Sequence, residues 1–172
     1  MSRAVLITLI TTSTLSLGAC GKNASDAASA NNATSENAIP LTAATLGEQT
    51  ILSSKDYLAH ETYAAADVDR GETLSMQCRA CHTLEKGGAD VLGPNLYALF
   101  GRTAGSAPDY SYSEELANSN FVWTPRALDA WLAQPYPFLP GNRMSYPGLP
   151  SSDDRNAVIA YLLHTTDAGD QE

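Results

Sequence analysis

Basic residues are scarce in this sequence of 172 residues. Lysine and arginine together number 10, against 19 aspartate and glutamate residues, and the formal net charge is −9. Nucleic acids are bound through positively charged surfaces that neutralise their phosphates. The shortage of basic residues therefore argues against DNA or RNA as a partner. An acidic protein of this kind is expected to dock on a basic or mainly apolar surface.

The alternation of apolar and polar residues that marks a half-buried β-strand is also missing, whereas helical signals are present. Thr124 and Pro125 supply an N-cap and a proline at the first helical position. An apolar stripe then follows at i, i+3, i+4 spacing until Pro135 ends the helix, and its residues are Leu128, Trp131 and Leu132. The sequence therefore predicts a helix here.

Three further helices are predicted from the same kinds of signal. One covers residues 71–77 and leads into Cys78, a short apolar one runs from Asn95 to Phe100, and the last is capped by Ser151 or Ser152. Long loops rich in glycine and proline separate them. The prediction is a small, loop-rich, all-α domain with a thin core, in which a bound group would fill the middle.

Cysteine is scarce as well: the chain has three, an odd number that needs an explanation in an exported protein. Cys20 stands alone, after a segment that has a basic residue at Arg3 and an apolar run too short to span a bilayer comfortably. Its immediate context, Leu-Gly-Ala-Cys at 17–20, resembles the lipobox of bacterial lipoproteins. We therefore expect residues 1–19 to be a signal peptide and Cys20 to be lipidated. The alternative is an ordinary secretory signal with an incidental cysteine.

The segment after Cys20 is small, polar and repetitive up to about residue 40. Such a composition offers too little apolar surface to offset the entropy of ordering. Residues 41–66 contain more large apolar side chains, which could form a short helix or pack onto the domain, so this part is expected to be partly ordered at best. Residues 20–66 as a whole are predicted to be a flexible linker. Its r.m.s. reach would be roughly 35–40 Å. The folded domain is predicted over 67–166, with a short tail over 167–172.

The other two cysteines form the motif Cys78-Arg79-Ala80-Cys81-His82. The C-x-x-C-H pattern is typical of covalent haem attachment, in which two thiols add to the haem vinyl groups and the histidine ligates the iron. A zinc half-site would need two more ligands, yet only His60 and His164 remain. A thioredoxin-type redox pair would need a βαβ context, which is missing. We therefore expect one covalently bound haem c, with His82 as an iron ligand.

A low-spin haem needs a second axial ligand, and four residues are candidates: Met76, Met144, His60 and His164. Met76 precedes Cys78 by only two residues, so its sulfur is too close to the attachment site to reach the opposite side of the haem ring. Met144 lies in a loop 62 residues after His82, flanked by Arg143 and Ser145. The alternative for Met144 is ordinary packing or exposure.

From about residue 71 to 162 the chain resembles the class I c-type cytochromes, in particular mitochondrial cytochrome c and its close bacterial homologues. The resemblance rests on the stretch Cys81–Gly88, on Leu92-Gly93-Pro94-Asn95-Leu96, on Leu99-Phe100-Gly101-Arg102, and on the spacing from Trp123 through Pro140-Gly141 to Met144. It implies the class I cytochrome c fold, with Met144 as the second ligand of the iron.

The same resemblance implies roles for four more residues. The Pro94 carbonyl would accept a hydrogen bond from the ring of His82, and Arg102, Tyr112 and Trp123 would bind the haem propionates. Tyr112 and Trp123 could instead be plain core aromatics. The chain departs from the family at Trp131, where a tyrosine is usual, and it lacks the family's ring of lysines.

The sequence thus predicts an electron carrier rather than an enzyme. It would be a monomer, tethered by lipid to a membrane of a bacterial cell envelope, facing the periplasm. It would carry single electrons from a quinol-oxidising complex to a terminal oxidase or reductase. The alternatives are a haem subunit docked permanently on a periplasmic dehydrogenase and, with less support, a haem peroxidase.

Overall fold

The structure is a computed structural model that describes residues 40–167 of the chain. Within this range it contains seven helices joined by long loops: α1 (Ser54–Leu58), α2 (Glu61–Ala64), α3 (Val68–Arg79), α4 (Glu114–Ala117), α5 (Pro125–Ala133), α6 (Pro135–Phe138) and α7 (Ser152–Thr165). The only β pairing assigned between residues 40 and 167 is one antiparallel bridge, Thr103 to Val122. The predicted all-α class is confirmed.

Helices α3 and α7 cross at very short range. A β-carbon at Gly71 would lie 2.1 Å from the carbonyl oxygen of Ala157, so only glycine fits at the crossing. An ion pair between Arg70 and Asp154, with an N–O distance of 2.5 Å, joins the same two helices. All residues from 157 to 163 in α7 are buried, as expected of a helix surrounded by other elements. Helix α3 ends at the first residues of the C-x-x-C-H motif, as predicted.

Helix α5 also forms as predicted. The Thr124 hydroxyl accepts a hydrogen bond from the Ala127 N–H at 3.2 Å, which makes it the N-cap. The stripe of Leu128, Trp131 and Leu132 is buried, with each side chain 5 % exposed. Proline 135 follows the end of α5, but it also begins the four-residue helix α6, which the sequence analysis did not anticipate.

Four aromatic side chains pack edge-to-face in the core beneath α5 and α6. Their ring centroids are 4.9–5.8 Å apart and their planes are nearly perpendicular, and they belong to Phe121, Trp123, Trp131 and Phe138. Such contacts contribute about 0.5–1.5 kcal/mol each beyond the burial of area. They fix the positions of both tryptophans.

The prediction of a helix from Asn95 to Phe100 is wrong, because this segment forms turns. Its backbone groups bond outside the segment instead of along a helix: the N–H of Leu96 donates to the Thr83 carbonyl, and that of Ala98 to the Thr166 carbonyl. Ala98 also adopts a left-handed backbone conformation, with φ at 52°. That conformation cannot continue a right-handed helix.

The prediction of a flexible linker over 20–66 is wrong for residues 40–66. Leu46 is 1 % exposed and belongs to the main apolar core. Helices α1 and α2 both pack against α7. The apolar residues of this segment pack on the surface of the domain, and their burial offsets the entropy lost on ordering.

The predicted signal peptide 1–19, the lipidated Cys20, the linker up to residue 39 and the tail beyond Asp167 lie outside the described residues. Within residues 40–167, no helix has the length and apolar character needed to cross a membrane.

Candidate functional site

A cavity of about 370 Å³ lies within the domain, with walls made mainly of leucine and aromatic side chains. It is lined by residues from α3, α5, α7 and the loops between them. All eight residues predicted to bind the cofactor line it: Cys78, Cys81, His82, Pro94, Arg102, Tyr112, Trp123 and Met144. The structure therefore brings together side chains that are up to 66 positions apart in the sequence.

The two thiols of the cavity stand on a single turn that continues α3. The N–H groups of Cys81 and His82 both lie 3.0 Å from the carbonyl oxygen of Cys78. This turn places both cysteines and the histidine on the cavity wall. The thiols are free and half-buried, and burial raises the pKa of Cys78. Two thiols in this arrangement suit covalent attachment of a planar group.

The imidazole of His82 is held in one orientation by the loop 93–94. Its Nδ1 lies 2.7 Å from the carbonyl oxygen of Pro94. Because a carbonyl can only accept, Nδ1 carries the proton and Nε2 keeps a lone pair for a metal. Burial, the largest influence, lowers the pKa of His82 and favours the neutral ring. A β-carbon at Gly93 would lie 2.2 Å from the ring, so glycine is required for this close fit.

A short ribbon supplies the polar part of the cavity wall. The extended segments 101–104 and 121–123 pair through hydrogen bonds around the Thr103–Val122 bridge, one of which runs from the Trp123 N–H to the Arg102 carbonyl at 2.9 Å. The guanidinium of Arg102 is half-buried and donates to the Asn95 carbonyl at 3.1 Å. Burial lowers the pKa of Arg102 and raises that of Tyr112. A half-buried cation beside a phenol can bind a carboxylate that enters the cavity.

Met144 is presented by a loop that Asn142 organises. The Asn142 side chain donates to the carbonyls of Pro135 and Leu139 at 2.9 and 2.8 Å, and it accepts from the Met144 N–H at 3.0 Å. The indole N–H of Trp131 donates to the sulfur of Met144 at 3.2 Å. Hydrogen bonds at the backbone N–H and at the sulfur of Met144 thus fix the orientation of its side chain.

The other three candidates for the second axial ligand lie away from the cavity lining. Met76 is 68 % exposed on α3. His60 is the exposed N-cap of α2, and His164 is exposed in the last turn of α7. Among the four candidates, Met144 alone lines the cavity.

The contacts that Trp131, Asn142 and Gly93 make in the site were not predicted from the sequence. Trp131 was predicted as part of an apolar stripe and identified as a departure from the family, and neither observation indicated the hydrogen bond from its indole to the sulfur of Met144. For Asn142, its position two residues before Met144 was the available signal, because asparagine side chains often bond to the backbone two residues on.

The donor set fits haem c. It combines two thiols and an imidazole from one turn, a thioether from a second loop, an arginine for carboxylates, and an apolar enclosure. The cradle around His82 is too tight for any residue but glycine at position 93, as expected for a ring that must stay fixed.

Comparison with known proteins agrees with this assignment. Residues 68–166, more than half of the chain, match the family model for cytochrome c. Cytochrome c from Sesamum indicum is 40 % identical over 101 residues, which cover 58 % of this chain and 91 % of that protein. Cytochrome c2 from Agrobacterium tumefaciens (strain II Chrys) is 38 % identical over 100 residues, covering 56 % and 90 %. The chain therefore belongs to the cytochrome c family, whose members carry electrons on a covalently bound haem c.

Proposed function

We propose that this protein is a membrane-tethered, monohaem electron carrier, not an enzyme, that moves single electrons from a quinol-oxidising complex to a terminal oxidase or reductase. The observation that carries the proposal is the convergence of His82 and Met144, from separate segments, on one largely apolar cavity. Bound haem supplies a one-electron iron couple. Cys78 and Cys81 would attach it, and His82 and Met144 would ligate its iron.

The chain's own residues then control the environment of that couple. The carbonyl oxygen of Pro94 accepts a hydrogen bond from the Nδ1–H of His82. This bond fixes the tautomer of the ring and makes Nε2 a better electron-pair donor to a metal. Arg102, with Tyr112 and Trp123 on the same wall, would neutralise the propionates, whose burial without a partner would be costly. The largely apolar walls limit the contact of the site with water, so less solvent must reorganise when the charge of the site changes.

Occupation of the second coordination position of the iron by Met144 would distinguish an electron carrier from a haem enzyme. A haem peroxidase needs an open position on the iron, whereas here the sulfur of Met144 is held towards the site by Trp131 and the Asn142 loop. This support for a closed position favours electron transfer over the peroxidase alternative.

The tether is inferred from Cys20 and its lipobox-like context. Because residues 40–66 pack on the domain, the predicted linker is limited to 20–39. A random coil of that length has an r.m.s. extension of about 25 Å. Confinement at this range would give membrane partners an effective concentration that can reach the millimolar level, so docking would need little steering by charge. We place the protein on the periplasmic side of a bacterial membrane, as a monomer.

The shorter linker also favours the second candidate, a haem subunit docked permanently on a periplasmic dehydrogenase, because less reach remains for shuttling. Leu92 supports either partner class. It is 79 % exposed while lining the cavity, and Tyr136 on α6 is 67 % exposed. An acidic protein that exposes Leu92 beside its cofactor cavity is suited to a mainly apolar docking surface.

The two candidates are separated by fractionation and by electron transfer. Wild-type protein should fractionate with membranes, and Cys20→Ala should release it with an unchanged haem spectrum. Reduced, released protein should be oxidised by membranes that contain a terminal oxidase. Co-purification with a dehydrogenase through size-exclusion chromatography, together with no oxidation by such membranes, would support the docked subunit. Wild-type protein found wholly in the soluble periplasmic fraction would remove the tether.

A further inference from the structure

Residues 40–53, which we call the strap, precede α1 and lie outside the part of the chain that matches the cytochrome c family. The strap runs across the domain with contacts to distant residues. The Ala43 N–H donates to the Phe138 carbonyl at 2.9 Å, and the Arg126 guanidinium donates to the Leu46 carbonyl. These contacts connect it to α5 and α6.

The side chain of Gln49 makes the most specific contacts of the strap. Its amide oxygen accepts from the N–H of Val122 at 3.0 Å, and its amide nitrogen donates to the carbonyl of Val122 at 2.7 Å. The same nitrogen donates to the Thr124 hydroxyl at 2.8 Å. A primary amide carries a donor and an acceptor side by side, so Gln49 binds Val122 as the backbone of a neighbouring strand would.

Val122 belongs to the ribbon that forms the polar wall of the cavity. On one edge of segment 121–123, the backbone groups of Phe121 and Trp123 bond to segment 101–104. The backbone groups of Val122 point to the other edge, as those of alternate residues in a strand do, and there they meet Gln49. Gln49 therefore completes the free edge of the ribbon.

We propose that Gln49 is a positioning residue: by closing the outer edge of the ribbon it holds Trp123 and Arg102 against the propionate side of the haem. Both residues line the cavity and neighbour the bonds that Gln49 makes. The inference depends on haem binding, which the family shares, and does not depend on the proposed tether.

Loosening this edge should have two measurable consequences. The N–H of Val122 would lose its acceptor, so its hydrogen exchange should accelerate by about tenfold, the factor expected for one hydrogen bond. Water would also gain access beside Arg102 and Trp123. Greater solvent access stabilises the more highly charged ferric site, so the reduction potential should fall.

The experiment compares haem-loaded, full-length wild type with Gln49→Ala, Gln49→Glu and a control, Glu48→Ala, which changes an exposed neighbour in the strap. Exchange of the Val122 amide and the indole N–H signal of Trp123 are followed by NMR, and the potential by redox titration. Gln49→Ala should show faster exchange, a shifted indole signal and a lower potential, while Glu48→Ala matches wild type. Gln49→Glu keeps the acceptor but loses the donors, so Val122 should stay protected while the indole signal and the potential shift.

Two results would overturn the proposal. Unchanged Val122 exchange in Gln49→Ala would show that the pairing is absent in solution. Faster exchange with an unaltered Trp123 signal and potential would show that Gln49 only ties down the strap. If Gln49→Ala does not accumulate, the Trp123 indole signal and the reduction potential of Gln49→Glu test the proposal instead, and values equal to those of the wild type would overturn it.

Discussion

The cavity and the strap of this protein are built from contacts of very different range. Cys78, Cys81 and His82 stand on one turn, within five residues of each other. Gln49 meets Val122 and Thr124 across 73 and 75 positions. The first arrangement determines which chemistry is possible, and the second supports the wall of the cavity. Substitutions in the cavity should therefore change the ligation and attachment of the haem, whereas those in the strap should change stability at Leu46 and the support of the cavity wall at Gln49.

The largest effect is expected from removing both thiols of the cavity. Cys78→Ala with Cys81→Ala leaves no group on that turn to form a covalent bond, so haem should be lost on denaturation. Haem staining of denaturing gels measures this directly. Cys20→Ala serves as the matched control and should keep the stain. A stained double variant would show that attachment occurs elsewhere.

Next in size is the loss of the thioether. Met144→Ala should lower the reduction potential by about 0.1 V or more, since axial-ligand identity moves haem potentials over roughly 0.8 V. The near-red absorption band of sulfur–iron charge transfer should disappear from the ferric protein. Met76→Ala, which removes a side chain that is 68 % exposed, should leave both unchanged. A band that survives in Met144→Ala would rule out Met144 as the ligand.

In the strap, Leu46→Ala should lower the free energy of unfolding by about 2–4 kcal/mol, the usual cost of truncating a buried leucine. Its side chain is 1 % exposed, whereas that of Leu52 is 45 % exposed. Leu52→Ala, the matched control, should cost less than about 0.5 kcal/mol. Denaturant titration gives both values. Equal stability of the two variants would mean that the strap does not pack on the domain in solution.

The smallest effect tests the bond from Trp131 to Met144. Trp131→Phe keeps an aromatic ring in the core but removes the donor at 3.2 Å from the sulfur. A hydrogen bond withdraws electron density from the sulfur and so favours ferrous iron, and its loss should lower the potential. One bond of about 1 kcal/mol corresponds to about 40 mV. Tyr136→Phe, on an exposed aromatic, is the control. A potential equal to that of the control would show that the indole does not act on the sulfur.

The sequence alone predicted the parts of the fold that have periodic or motif-like signals. Helix α5 was predicted from its cap and stripe, and the C-x-x-C-H turn from its spacing. The prediction for Asn95–Phe100 was wrong, because its apolar residues suggested a helix whereas its backbone N–H groups bond to Thr83 and Thr166. Local patterns carry no record of such distant partners.

The packing of the strap was left open by the sequence for the same physical reason. Leu46 and Gln49 lie in irregular backbone, so neither has a period that could indicate a buried face. Within the site, the eight predicted residues came from the motif and from the family resemblance, and the structure places all of them on the cavity. The bond from Trp131 to sulfur depends on how a core residue happens to be oriented, which spacing does not determine.

The central claim is that Met144 closes the iron of an electron carrier, and carbon monoxide tests it most directly. The gas is added to the reduced, haem-loaded wild type and to reduced Met144→Ala, and difference spectra are recorded. The account predicts that the wild type resists the gas and that the variant binds it. Rapid binding of carbon monoxide by the wild type would contradict the claim and favour a haem catalyst with an open position.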